Sequence, residues 1–349
     1  MSEPMENMPL VSICIPAYNG EHFIEQAIMY AQHQTYSPLE IIVTDDCSID
    51  GTLAVAQRMA ETDYRIKIFS NPVNKGLIDN WQSCVKHSSG EWIKFLFQDD
   101  VIKPTCVQEM MQTALQQHAK VCLSARTFII DEKTYPSIKR FFEIDIIMPQ
   151  QLLTQKAFYT SAEMATVLAP HLQRNVLGEP STWLLHKEVF AQGFLFNKRM
   201  RQLMDYEFFV NCVLQYGLAF VNKELVSFRV HHKSESNSNV NDVASTGDIK
   251  KMIQAHAGDY MEMITSIVKQ QLWQPLFHYW GTFRLRIFFE RLYFKACRDY
   301  GEQLTREALH ETLLSVPFKI RPYSFIRFSF NKLQFQYLVK PKLNARVIL

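Results

Sequence analysis

Two segments decide the fold: LVSICIP at residues 10–16 and LEIIVTDD at residues 39–46. Each is a short apolar run rich in β-branched residues, the signature of a buried strand. The second ends in two adjacent carboxylates. Between them, residues 21–34 carry apolar side chains at helical spacing. Further along, Thr52–Glu61 reads as a helix, IKIFS (66–70) as a strand and Gly76–His87 as a helix. WIKFLFQDD (92–100) reads as a strand that again ends in two carboxylates, followed by a helix over 104–118 and a strand at KVCLSA, 120–125. This alternation predicts an α/β domain with a mostly parallel sheet and helices on both faces. Such sheets bind ligands outside the carboxyl ends of their strands, where both acidic pairs fall.

The stretch 126–178 has no clear period. WLLH (183–186) reads as a strand, Tyr206–Gln215 as a helix, and LAFVNKELVSFRV (218–230) as strands. KSESNSNVNDVASTG (233–247) is polar and reads as a loop that divides the chain into a catalytic domain, 1–245, and a C-terminal extension, 246–349.

Composition narrows the class. The 349 residues are 47 % hydrophobic with a net charge of +2, which suits a large core and excludes disorder. The charge is uneven. Residues 273–349 hold thirteen Lys/Arg against five Asp/Glu, and they are rich in Phe, Tyr and Trp. A basic, aromatic helical surface of this kind suits peripheral contact with an anionic bilayer; a cap packed on the catalytic domain or a dimer interface would give the same pattern. No nucleic-acid motif accompanies it, so no nucleic-acid partner is expected. The seven cysteines (Cys14, Cys47, Cys84, Cys106, Cys122, Cys212 and Cys297) never form a CxxC, which points to a reducing compartment. The N-terminal residues lack a secretory pattern and no apolar run spans a membrane, so a cytoplasmic protein is expected, with any membrane contact peripheral at the inner face.

The acidic pairs are the candidates for chemistry. Asp45 and Asp46 in TDDCSIDGT repel one another unless donors or a cation wait there, and a nucleobase offers donors. Asp46 or Ser48 could equally cap the helix beginning near Gly51. Asp99 and Asp100 supply hard oxygen ligands for Mg²⁺ or Mn²⁺, which would neutralise a leaving diphosphate; the alternative is a helix cap before Pro104.

Seven motifs then stand in order: PAYN (16–19), DDCSIDGT (45–52), NKGLIDN (74–80), FLFQDD (95–100) followed by Pro104, GEPS (178–181), MDYEFF (204–209) and FRVHHKSES (228–236). Over residues 9–236 the chain resembles inverting family 2 glycosyltransferases of the GT-A fold, of the kind that build bacterial surface polysaccharides or lipopolysaccharide. The resemblance implies a nucleotide-sugar donor and a glycan or lipid-linked glycan acceptor. Pro16, Ala17 and Tyr18 would line the nucleotide pocket, Asp46 would hydrogen-bond the base, and Asn74 and Gly76 would shape the pocket. Asp99 would contact ribose and metal, Asp100 the metal, and His231 the metal or diphosphate; His231 could instead be a solvated residue at a strand end. Phe97 stands where the family often carries the first acid of DADD.

Asp205 matches the family's general base, and the chemistry asks for one: the acceptor hydroxyl loses its proton as it attacks the anomeric carbon, and one displacement inverts that centre. Its other reading is a cap for the helix near Tyr206. Glu179 is the second acceptor-side acid, and Glu207 would face another way. Arg229 reads as structural, and Ser234 and Ser236 as phosphate contacts or ordinary loop residues. Two rivals remain: a catalytically inactive relative that serves as a binding subunit of a polysaccharide assembly complex, and a nucleotidyltransferase, which would need a basic Gly-rich loop that PAYNGEHF lacks. The absence of GxGxxG after the first strand disfavours a dehydrogenase.

Overall fold

The computed structural model describes residues 8–134, 136–172, 174–191, 196–200 and 203–231, with Asp259, Glu262, Met263, Ser266, Ile267, Gln270 and Leu272. The chain divides into two compact units, Met1–Asp248 and Ile249–Leu349. In the second unit Asp259, Glu262, Met263, Ser266 and Ile267 are helical, and Met263, Ile267 and Leu272 are buried. The polar stretch 233–247, with Ser234 and Ser236, and the basic, aromatic residues 273–349 lie outside the described residues. Among the described residues no helix is long and apolar enough to cross a membrane.

Among the described residues, the first unit is built on a nine-stranded sheet. Strands β1 (Val11–Ala17), β2 (Leu39–Asp45), β3 (Ile66–Ser70) and β4 (Trp92–Phe95) run parallel in the order β3-β2-β1-β4. Helices α1 (Ile24–Gln32), α2 (Thr52–Ala60) and α3 (Leu77–His87) connect them. After the two-residue β5 (Val101–Ile102) come α4 (Cys106–Gln116) and β6 (Val121–Ile130). The unassigned stretch contains α5 (Pro136–Arg140), a π-helical turn at Phe141–Asp145, α6 (Pro149–Leu152), β7 (Phe158–Tyr159) and α7 (Ser161–Leu168). A 3-10 turn, Pro180–Thr182, leads into β8 (Trp183–His186), α8 (Glu188–Ala191), α9 (Met204–Tyr216) and β9 (Leu218–Val230).

Alternation along β1 explains the layers. Val11, Ile13, Ile15 and Ala17 share a core with Ile24, Ala27 and Ile28 of α1 and Val107, Met110 and Met111 of α4. The intervening residues face α3 instead: Cys14 Sγ lies 3.2 Å from Ser88 Oγ at the end of that helix. Both faces are therefore covered, as a parallel sheet requires, and each fully buried Ile, Val or Leu contributes roughly 1.5–3 kcal/mol.

The structure departs from the expected pattern in three places. The strand expected over 92–100 ends at Phe95, because the chain turns away: Leu96 N–H still donates to Cys14 O (2.9 Å), but Phe97 N–H donates to Ser181 Oγ (3.0 Å) and Asp100 N–H to Phe97 O (3.0 Å). Asp99 and Asp100 thus sit in a turn beyond the strand. The parallel order is also broken by β8, which inserts antiparallel between β4 and β6. Finally, residues 218–230 form one long strand, β9, running parallel to β6 with register shifts between Ser124 and Arg126.

Asn80 of α3 ties the strand ends together, its Nδ2 donating to Ala17 O (3.2 Å) and Thr44 O (3.0 Å). Replacing it by alanine leaves two buried carbonyls without that donor. Urea unfolding of Asn80→Ala is expected to show a loss of about 1–3 kcal/mol.

Candidate active site

The carboxyl ends of β1, β2 and β4 open onto three loops. Pro16 and Ala17 close β1 and are buried in the sheet, paired with Thr44 and Asp45. Tyr18 is the exposed member, at 44 %. Its N–H donates to Gln98 Oε1 and its carbonyl accepts from Gln98 Nε2, both at 3.1 Å, so the loops after β1 and β4 are stitched together. Gly20 allows this: a Cβ there would fall 2.1 Å from Gln98 Oε1. Sequence reasoning passed over Gln98, whose only signal was its place in the FQDD motif.

Asp46 is buried. Its Oδ1 accepts from Asn71 Nδ2 and Lys75 N, both at 2.9 Å, and its Oδ2 from Gly76 N at 2.8 Å. It therefore clamps the exposed 72–77 loop. Asn74 Oδ1 accepts from the same Gly76 N–H (2.9 Å), and Gly76 has φ 85°, a conformation that favours glycine. Asp45 is also buried; Oδ2 accepts from Ser48 N (3.1 Å), and Oδ1 has no partner among the described residues. The expected cap by Asp46 or Ser48 is not what starts α2. Asp50 Oδ1 accepts Thr52 N–H at 3.0 Å, while Ser48 Oγ accepts from Asn19 N at 2.9 Å.

Asp99 and His231 face each other, Oδ2 to Nε2 at 3.0 Å, although 132 residues apart. Asp100 turns inward. Its Oδ2 accepts from Ser181 Oγ (2.5 Å) and its Oδ1 from Arg229 N (3.0 Å). Burial pushes its carboxyl well above the ordinary range; the neighbouring Asp99 charge adds to this and the two hydrogen bonds partly offset it. Arg229 Nε donates to Asp99 O at 2.8 Å and its Nη2 to Gln26 Oε1 at 3.1 Å, a structural role that brings the end of β9 against the acidic turn. Phe97 stacks tilted on Trp81, centroids 4.9 Å apart, so an aromatic contact holds the turn where the family often has an acid. Asp99 and His231 bring a carboxylate oxygen and an imidazole together, two donors that Mn²⁺ accepts more readily than Mg²⁺; among the described residues no group of three or more His, Cys, Asp or Glu side chains is placed to hold a metal ion.

On the other side, Glu179 precedes the Pro180–Thr182 turn and takes a hydrogen bond from the buried Arg126 guanidinium. Asp205 does not cap α9, which starts at Met204; it lies in the first turn, and its Oδ1 accepts from Tyr206 N at 2.7 Å. Burial pushes the Asp205 carboxyl up to about 7, the Tyr206 N–H opposes this, and the charge of Glu179 adds to it. Glu207 points into the core, where Asn211 Nδ2 donates to its Oε1 at 2.6 Å. Glu179 stands two residues before Ser181, whose Oγ donates to Asp100 Oδ2, so the 179–181 segment is tied to the acidic turn.

Comparison with known proteins gives a consistent picture. The pattern of the family described as "Glycosyl transferase family 2" matches residues 12–173. An uncharacterized glycosyltransferase of Haemophilus influenzae is 30 % identical over 237 residues, covering 66 % of this chain and 69 % of that one. A GalNAc(5)-diNAcBac-PP-undecaprenol beta-1,3-glucosyltransferase of Campylobacter jejuni is 37 % identical over 115 residues, but the match covers 33 % of this chain and only 37 % of that enzyme's length. Among solved structures, Staphylococcus aureus TarS 1-349 in complex with UDP-GlcNAc aligns with a TM-score of 0.56 at 16 % identity, over 91 % of this chain and 85 % of that one. The mannosyltransferase PcManGT from Pyrobaculum calidifontis, with GDP-Man and Mn²⁺, aligns at 0.54 and 12 % identity, over 97 % and 84 %. These likenesses establish the GT-A fold.

The raised Asp205 carboxyl has a thermodynamic sign. Between its ordinary value of 3.8 and about 7 the folded chain holds a proton that the unfolded chain has lost, so this group's contribution to stability falls as pH rises through that window. Asp205→Asn should therefore melt above wild type at about pH 8, and the gain should shrink towards about pH 5. Equal differences at both values would contradict the raised carboxyl.

Proposed function

The chain belongs to glycosyl transferase family 2 and is a glycosyltransferase of the GT-A fold, and on that premise we propose that it transfers a sugar from a nucleotide-diphosphate donor to an acceptor hydroxyl with inversion. The donor's nucleotide would lie across the loops after β1 and β2, among Tyr18, the Asp46-anchored loop and the backbone of Asn74–Gly76. Asp46 would act through that loop, its own oxygens being engaged there. Asp99 and His231 would hold a divalent cation, with Asp100 as the buried anchor of their turn. A bound Mg²⁺ or Mn²⁺ would neutralise the diphosphate as it departs.

Asp205 is the proposed general base. The acceptor oxygen attacks the anomeric carbon on the face opposite the diphosphate, its proton passes to a carboxylate oxygen of Asp205, and the C–O bond to the diphosphate breaks. A carboxyl near pH 7 suits this task, because it is substantially ionised at neutral pH yet basic enough to draw the proton. The observation that carries the reading is the pairing of Asp99 with His231 beyond the carboxyl ends of the parallel strands, Oδ2 to Nε2 at 3.0 Å. Neighbouring folds solved with UDP-GlcNAc and with GDP-Man and Mn²⁺ support a nucleotide-sugar donor and a divalent cation. The Campylobacter relative, named for a polyprenol-diphosphate-linked glycan acceptor, supports a lipid-linked glycan as the acceptor.

Calorimetry with UDP, GDP, CDP and dTDP, each with Mn²⁺ and with EDTA, tests the reading. One diphosphate should bind in a Mn²⁺-dependent way, and Asp99→Ala should lose that binding. If none binds with Mn²⁺ present, the proposed donor site fails. Asp205→Ala should keep the binding while kcat falls by roughly 10²–10⁴-fold. With the matching nucleotide sugar, kcat/KM should fall on the acidic side of about pH 7, as Asp205 becomes protonated.

A further inference from the structure

Lys94 is the one charged residue of β4, and it is fully buried. It pairs in register with Ile13 of β1 and Leu184 of β8, which belong to the core shared with α1 and α4. Residues in register share a face of the sheet, so an ammonium enters an apolar layer, where a hydrocarbon side chain would carry no desolvation cost. What it gains there is two carbonyls. Nζ donates to Phe95 O (3.2 Å), on the last residue of β4, and to Ser181 O in the Pro180–Thr182 turn. Ser181 is also fully buried, and its hydroxyl reaches the acidic turn: Oγ accepts from Phe97 N (3.0 Å) and donates to Asp100 Oδ2 (2.5 Å). One serine thus holds both ends of the 97–100 turn, while Lys94 holds that serine. Arg229 grips the same turn from β9, through Asp100 Oδ1 and Asp99 O.

We propose that Lys94 is a positioning residue for the acidic turn: through Ser181 it holds Phe97 and Asp100 in place, and so fixes the direction in which Asp99 meets the cation. This rests on the reading of Asp99 and His231 as the residues that hold the cation. The hydrogen bonds form a continuous path, from Lys94 Nζ to Ser181 O, from Ser181 Oγ to Asp100 Oδ2, and from Asp100 N to Phe97 O. The turn needs such a support. The pairing of β4 with β1 ends at Phe95 and Cys14, so residues 97–100 have no strand ladder to set their geometry. A hydrocarbon at position 94 would fill the apolar layer at less cost, but it would leave Ser181 O without this donor. Partners one step removed from a metal ligand act in this way, by orienting the ligand rather than by touching the ion.

The test is hydrogen–deuterium exchange of the metal-free, full-length chain, which needs neither cation nor nucleotide. Phe97 N–H and Asp100 N–H report on the turn, since both are bonded within this network. In Lys94→Met, peptides covering residues 96–101 should exchange roughly tenfold faster than in wild type, while those covering β1 and β2 keep their wild-type rates. Ser181→Ala should do the same, and the double variant should exchange no faster than the faster single one, because both changes act through one serine. Calorimetry supplies the second readout, with UDP, GDP, CDP or dTDP, whichever wild type binds. In Lys94→Met the Mn²⁺ concentration for half-saturation should rise roughly tenfold, with binding in EDTA unchanged; a general loosening of the fold would weaken both. If wild type shows no Mn²⁺-dependent binding, the cation's part in the proposal falls with the donor-site reading, and exchange still decides whether Lys94 holds the turn. Wild-type exchange over 96–101 in a folded Lys94→Met chain would overturn the proposal. Lys94→Gln takes its place where Lys94→Met does not fold. If neither folds, Lys94 supports the fold at large rather than this turn, and the proposal is overturned as well.

Discussion

Asp45, Asp46, Asp99, Asp100 and Glu179 gather near the carboxyl ends of one sheet, and each carboxylate withdrawn from water must find donors, a counter-charge or a proton. The loops around the crevice are arranged by how that demand is met. Asp46 takes three hydrogen bonds and in doing so fixes the 72–77 loop. Asp100 takes Ser181 Oγ and Arg229 N–H, and so joins the acidic turn to the 178–182 segment and to β9. Glu179 takes Arg126.

These solutions leave different groups for chemistry. Where donors enclose a carboxylate, as at Asp46 and Asp100, it becomes part of the frame. Asp99 keeps an oxygen directed at His231. Asp205 Oδ1 accepts from Tyr206 N–H, but burial outweighs this and pushes the carboxyl up to about 7. The same residue type thus holds loops at Asp46 and Asp100, and is proposed to meet a cation at Asp99 and to accept a proton at Asp205.

Much of this was legible from the chain. The buried strands at 10–16 and 39–46, the helices after them and the acidic pairs beyond them follow from local periodicity, and the seven ordered motifs pointed to the family. The stretch 126–178 was not legible, because its helices are short and its strand β7 has two residues. The end of β4 was also missed: WIKFLFQDD stays apolar past Phe95, and only the hydrogen bond from Phe97 N–H to Ser181 Oγ, 84 residues away, takes it out of the sheet.

The sequence by itself determined the α/β class, the layered core and the place of the acids at the strand ends, because side-chain periods of 2 and 3.6 are local properties. Tertiary structure decided the antiparallel entry of β8 between β4 and β6, the inward turn of Asp100, and the pairings of His231 with Asp99 and of Arg126 with Glu179. Each of these joins segments far apart in the chain. Their contact depends on sheet register and loop packing, which no local pattern encodes.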